Sequence, residues 1–148
     1  MTLAEDEWVE ESPTWPNATM GKRVLVAEDD AAMRQMLAMV LHERGYLVDC
    51  VGSGTDMLSV LAQCGPRGYL AERFALILTD VRMPGASGLD AIDQLRRDGD
   101  NTPVIAVTAF PHDATLHRAE RLGIRLLAKP FDLDALRSAV TEALESTT

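Results

Sequence analysis

Cysteine, positive charge and long apolar runs are all scarce in this 148-residue chain. The two cysteines are Cys50 and Cys64. A disulfide framework or a metal site needs more ligands than these two offer, so they read as reduced, partly buried thiols. Lys and Arg number 14 against 23 Asp and Glu, for a net charge of −9. Phosphate backbones and anionic lipid surfaces call for a basic face, so neither nucleic acid nor a membrane is expected as a direct partner. No apolar run approaches the roughly 20 residues of a membrane span. The opening MTLAEDEWVE is acidic and lacks the basic start and apolar stretch of a secretory signal. These absences leave a cytoplasmic protein. Its length suits one domain, and 47% hydrophobic residues suffice for a core without staples.

Residues 1–21 differ from the rest. They carry Glu5, Asp6, Glu7, Glu10 and Glu11, two prolines and no clean periodicity. They read as a flexible acidic arm, with the folded domain spanning 22–146. Both tryptophans, Trp8 and Trp15, lie in this arm. Exposed indoles are costly unless used, so docking onto the domain or a partner is one reading of them; a bare extension is the other.

From Arg23 onward, apolar runs alternate with segments of helical spacing. Strands are expected at 24–27, 47–51, 75–79, 104–107 and 124–128. Between and after them lie amphipathic helices. The first is marked by Met33, Met36, Leu37, Val40 and Leu41 and stopped at Gly45. The second runs from Thr55 to Gln63. The third carries Leu89, Ile92 and Leu95 behind a Ser87 cap, and the fourth Leu116, Ala119 and Leu122. The last follows an Asp132 cap, with Leu136, Val140, Ala143 and Leu144 inward. Five strands alternating with five helices predict an α/β fold with right-handed crossovers. The expected architecture is a doubly wound, flavodoxin-like five-stranded parallel sheet in the order 2-1-3-4-5.

In such a sheet ligands bind beyond the carboxyl ends of the strands, at the switch point between strands one and three. Strand one ends in Glu28, Asp29 and Asp30; strand three in Asp80; strand four in Thr108; strand five in Lys129. Taken singly these are ambiguous. Glu28-Asp29-Asp30 can be a solvated acidic turn, with Asp30 capping the first helix, and a strand-end Asp is often a turn former. Taken together they converge. Carboxylates that close cannot all ionise unaided, and oxygen ligands with room for water suit Mg²⁺. Lys129 adds a cation able to hold an incoming anion, and Thr108 a hydroxyl donor beside small Ala109. Acid, metal, hydroxyl and cation around one carboxylate make a phosphoryl acceptor.

Four segments carry a family resemblance. VLVAEDDAAMRQML, LILTDVRMPGASGLDAI, VIAVTAF and LLAKPFD resemble, in order and spacing, the segments of response-regulator receiver domains in two-component phosphorelay signal transduction. The likeness covers about residues 22–145. It implies a phosphoprotein whose aspartyl phosphate forms on Asp80, with Thr108 and Lys129 as helpers. Mg²⁺ would be held by Glu28, Asp29, Asp80 and the Arg82 backbone carbonyl, and a cis peptide would precede Pro130. It also implies a sensor histidine kinase or phosphotransfer protein as donor and a downstream effector as reader. The family does not turn over external substrates; it promotes only its own phosphorylation and dephosphorylation. Phosphorylation adds about −1.5 to −2 charges. It would change the surface of the fourth helix, fifth strand and fifth helix, where His112, Arg118, Arg121 and Arg125 lie, and a homodimer can form on phosphorylation.

Three features depart from the family pattern. Leu126 stands where an aromatic is usual, so an aromatic rotating with Thr108 is not expected. Residues 65–74 read as an added surface loop. Arg82 and Phe110 flank the path of a hydrolytic water, and bulky Phe110 is expected to slow phosphate loss; a Phe110→Glu variant losing phosphate no faster would sink this. The sequence ends just past the last helix, which suits a stand-alone receiver or a piece of a longer regulator. Three other readings stay open. A haloacid-dehalogenase-type phosphatase would want a DxD pattern after strand one, where this chain has EDDAA. An FMN module would want a Ser/Thr/Gly-rich loop there. A receiver-like module could also serve protein interaction alone.

Overall fold

A computed structural model of the chain describes residues 22–63, 74–83, 85 and 87–145. The expected arm with its two tryptophans, Cys64, and the added loop apart from Phe74 lie outside these residues.

Ten elements alternate along the described residues: β1 (Arg23–Ala27), α1 (Ala31–Glu43), β2 (Leu47–Val51), α2 (Gly54–Gln63), β3 (Leu76–Asp80), α3 (Gly88–Arg97), β4 (Val104–Thr108), α4 (Asp113–Leu122), β5 (Arg125–Ala128) and α5 (Leu133–Glu145). The strands form one parallel sheet in the order β2-β1-β3-β4-β5, as expected. Pairing aligns Val24 with Leu76, Ile77 with Val104 and Ile105 with Arg125.

Successive side chains of a strand point to opposite faces, and each face of this sheet has its own helical cover. Leu25, Ile77, Val104 and Ala106 meet Met57 and Leu61 of α2, Leu89 and Ile92 of α3, and Ala119 and Leu122 of α4. Val24, Val26, Leu76, Leu78, Ile105 and Val107 meet Leu37, Val40 and Leu41 of α1 and Leu136, Ala139 and Val140 of α5. Covered on both sides, β3 and β4 are buried throughout, which is why their sequences are unbroken apolar runs rather than alternations.

The helix signals act as their chemistry requires. The Asp30 carboxylate accepts from Ala32 N–H, the Ser87 hydroxyl from Leu89 and Asp90 N–H, and the Asp132 carboxylate from Ala135 N–H. Gly45 follows α1 at φ 93°, a left-handed turn that a side chain would strain.

Some expectations need correcting. Strands β3 and β4 each run one residue further, to Asp80 and Thr108, while β5 starts at Arg125. In α4 the inward position is Thr115, with Ala119 and Leu122; Leu116 is 44% exposed. Cys50 is exposed rather than partly buried, because β2 is an edge strand. Arg118 does not face the α4-β5-α5 surface: its guanidinium reaches Asp90 at 2.6 Å and Asp93 at 3.4 Å, tying α4 to α3. Arg125 is engaged by Glu142 of α5. Leu126 is half-buried and packs with the core under α2, α3 and α4.

Among the described residues no helix is long and apolar enough to cross a membrane.

Candidate functional site

The carboxyl ends of β1, β3, β4 and β5 lie side by side at one rim of the sheet, so the residues that follow them are brought together by the strand order alone. Glu28 is the residue after β1, and it is 1% exposed. Its backbone is clamped on both sides. Its N–H donates to Val51 O at 3.1 Å, and its carbonyl accepts from the Arg34 guanidinium at 2.8 Å. Its carboxylate accepts from Asp30 N–H at 3.1 Å.

Asp80 ends β3. Its Oδ1 accepts from Arg82 N–H at 3.2 Å and its Oδ2 from Lys129 Nζ at 2.8 Å. The same ammonium donates to Glu28 Oε1 at 3.2 Å. Lys129 thus bridges two carboxylates from two strands, with its own side chain only 20% exposed. Its backbone N–H donates to Thr108 O at 2.7 Å, and the Lys129–Pro130 peptide is cis. Asp29 faces solvent above this pair. One oxygen each from Glu28, Asp29 and Asp80 lies within 4.8 Å of the others. Three hard oxygen donors at that spacing, open to water on one side, fit a small divalent cation.

Thr108 ends β4, one residue beyond the Asp80–Val107 pair. It is 2% exposed, and its hydroxyl accepts from Phe110 N–H at 3.1 Å. Among the described contacts it does not bond Asp80. Phe110 is 61% exposed, and the Arg82 guanidinium lies 5.4 Å from its ring centre. The two residues expected to flank the water path therefore stack on each other at the mouth of the site.

The electrostatics follow from burial. Desolvation pushes the Glu28 carboxyl up to about 7, and the neighbouring Asp80 charge adds to this, against the lowering hydrogen bonds from Asp30 N–H and Lys129. Burial alone would lower the Lys129 ammonium. The hydrogen bond to Asp80 and the two carboxylate charges outweigh it and hold the ammonium above the ordinary lysine range. The pocket stores negative charge that one lysine only partly offsets.

Three supporting residues escaped the sequence reading. Arg34 holds the Glu28 carbonyl from α1. Thr79, fully buried, donates its hydroxyl to Asp80 O at 3.0 Å. Gly88 opens α3 against that same carbonyl: a Cβ there would lie 2.3 Å from Asp80 O and 2.6 Å from Thr79 Oγ1. Backbone would have to move, so Gly88→Ala is expected to cost about 1–3 kcal/mol in urea unfolding. The small-residue spacing after Asp80 was the only sequence signal for Gly88; Arg34 and Thr79 gave none that separates them from ordinary surface and strand residues.

The fold and sequence resemble those of known proteins. The receiver domain of the Francisella response regulator 1452 superposes with a TM-score of 0.74 at 26% identity, covering 86% of this chain and 100% of that one. The regulatory protein AtoC of Escherichia coli is 32% identical over 124 residues, covering 83% of this chain but 25% of that protein. The sporulation initiation phosphotransferase F of Bacillus subtilis is 28% identical over 126 residues, covering 84% of this chain and 95% of that protein. The chain spans about half or less of the length of the first curated relatives it matches. The profile of the response regulator receiver domain matches residues 24–141, most of the sequence, and the chain belongs to that family of two-component signalling switches.

Proposed function

We propose that the chain accepts a phosphoryl group on Asp80, from the phosphohistidine of a sensor kinase or phosphotransfer protein, and presents the changed surface to a downstream effector. The observation that carries this is the Lys129 ammonium bridging Asp80 and Glu28, with the Asp29 carboxylate beside them. Glu28, Asp29, Asp80 and the Arg82 carbonyl would hold Mg²⁺. The bound ion supplies charge neutralisation where the acidic pocket meets an anionic donor.

The remaining chemistry belongs to the chain. An Asp80 carboxylate oxygen attacks phosphorus; the O–P bond of an acyl phosphate forms as the P–N bond to the donor imidazole breaks, and the imidazole leaves neutral or takes a proton from solvent. Arg82 N–H holds the other carboxylate oxygen in place. Lys129 exchanges a carboxylate for the phosphoryl oxygens, and the Thr108 hydroxyl turns to donate to them. Those two contacts exist in one state only, so they shift the equilibrium between two conformations. Residues 22–146 form the switching domain in this reading, with 1–21 as an appendage.

The test is intact mass after incubation with acetyl phosphate, with and without Mg²⁺. One phosphoryl group should be gained, only with Mg²⁺, and reductive trapping should map it to the peptide holding Asp80. No gain, or trapping at another residue, overturns the assignment.

A pH dependence follows from Glu28. A carboxyl whose folded pKa lies above its unfolded one favours folding when protonated; here that contribution is complete below about 4.5 and gone above about 7. Mg²⁺ must displace this proton below the upper value, so its affinity is expected to fall by up to about tenfold per pH unit on the acid side. Calorimetric titration on either side of neutrality measures it, and a flat profile refutes it.

A further inference from the structure

At the opposite end of the sheet from Asp80, the amino ends of β1, β3 and β4 leave a groove of about 350 Å³ between Lys22, Phe74, Asn101, Pro103 and Leu144. A second hollow, of about 270 Å³, shares Asn101 and Pro103 with it and continues past Arg96 and Arg125. The first has an apolar wall. The run as a whole carries three cations, of which Arg125 is engaged by Glu142 and Arg96 is held on the backbone carbonyls of Asp100, Thr102 and Leu122.

We propose that this groove is the docking site of the chain's own acidic amino-terminal segment, with the Trp15 indole against the partly exposed Pro103 and Leu144 and the acids at positions 5–11 toward the cations along the run.

Three observations select this occupant. The segment enters the fold at Lys22, which itself lines the groove. Trp15 is seven residues back, a reach of up to about 25 Å at 3.3–3.6 Å per residue, ample for a site that begins at the attachment point. Charge then separates the segment from its competitors. Residues 1–21 hold five acidic side chains and no Lys or Arg, whereas residues 64–73, which join the groove at Phe74, hold two arginines against one glutamate. Glu142 offsets Arg125 and Asp100 lies beside Arg96, so the positive charge at Lys22 is what favours the first over the second. The tail at 146–148 is Ser-Thr-Thr, with nothing apolar to bury. Finally, the segment holds both tryptophans of the protein, large amphipathic side chains that lose least when one face is dry.

Because tryptophan occurs only at positions 8 and 15, fluorescence of the whole chain reads the segment directly. Trp8→Phe and Trp15→Phe isolate the two signals. The Trp15 emission is expected to be blue-shifted relative to urea-unfolded protein, and its quenching by neutral acrylamide several-fold weaker. Asn101 is exposed and lies between the two hollows, so Asn101→Glu and Lys22→Glu reverse the local charge without touching the core. Both should return Trp15 to the quenching of the unfolded chain, with circular dichroism and phosphoryl gain at Asp80 unchanged. A Trp15 quenched as in the unfolded chain overturns the proposal. So does a protected Trp15 that ignores both variants, which puts the indole elsewhere, and so does protection that vanishes on dilution, which puts it on a second copy.

Discussion

Asp80→Asn is expected to abolish the Mg²⁺-dependent phosphoryl gain completely while leaving the fold in place. The amide is the same size as the carboxylate and keeps an oxygen for Arg82 N–H, now at 3.2 Å, but it offers no anionic oxygen to attack phosphorus. Two opposing effects govern stability. Lys129 loses its contact at 2.8 Å but keeps Glu28 at 3.2 Å, so no buried cation is stranded, and the cost stays below the roughly 3–5 kcal/mol of an orphaned buried charge. Against that loss, Glu28 no longer feels the Asp80 charge, one of the causes that raise its pKa. The melting temperature should therefore move little, and Glu28 should titrate at lower pH than in the parent. Phosphoryl gain that persists in Asp80→Asn would place the acceptor elsewhere. A variant that unfolds instead would show that Asp80 serves the core.

The uneven legibility of this protein in its sequence has physical causes. The five strands and their order were readable because strands buried on both faces leave continuous apolar runs, as in Leu76-Ile77-Leu78, and because parallel neighbours need a helix between them. Their ends were misplaced by one residue for the same reason: Asp80 and Thr108 pair by backbone, which hydrophobicity does not report. In α4, counting apolar residues put Leu116 inward, but the helix turns Thr115 to the sheet and leaves Leu116 in solvent. Arg118 read as part of a basic output face. Its side chain is long enough to cross to α3, where Asp90 and Asp93 stand one turn apart, and only the packing of the two helices shows this. The phosphatase and FMN readings fall with the family assignment, since each needed a different loop after β1. Glu28, Asp29, Asp80 and Lys129 converged as the strand ends suggested. The near-complete burial of Glu28, and hence its raised pKa, was not legible, because nothing local distinguishes it from Asp29, which is exposed.

Replacing Lys129 by methionine should move two measurements in opposite directions. The ammonium lies where charge would develop on the transferred phosphoryl group, and losing one such stabiliser typically costs about 10²–10³ in rate. Phosphoryl gain from acetyl phosphate should slow by about that factor at saturating Mg²⁺. Mg²⁺ itself should bind more tightly, because the ammonium now occupies part of the field of Asp80 and Glu28 and competes for it. Stability should depend on pH in a way that identifies the cause. Without the lysine two neighbouring carboxyls share a buried rim, but Glu28, already raised to about 7 with the lysine present, can take a proton. The variant should therefore be nearly as stable as the parent at mildly acidic pH and fall progressively behind it as the solution turns alkaline, with Mg²⁺ restoring the difference. If both Mg²⁺ affinity and phosphoryl gain fell together, at all pH values and in step with the melting temperature, Lys129 would be a packing residue and its bridge between the two carboxylates would have no part in the chemistry.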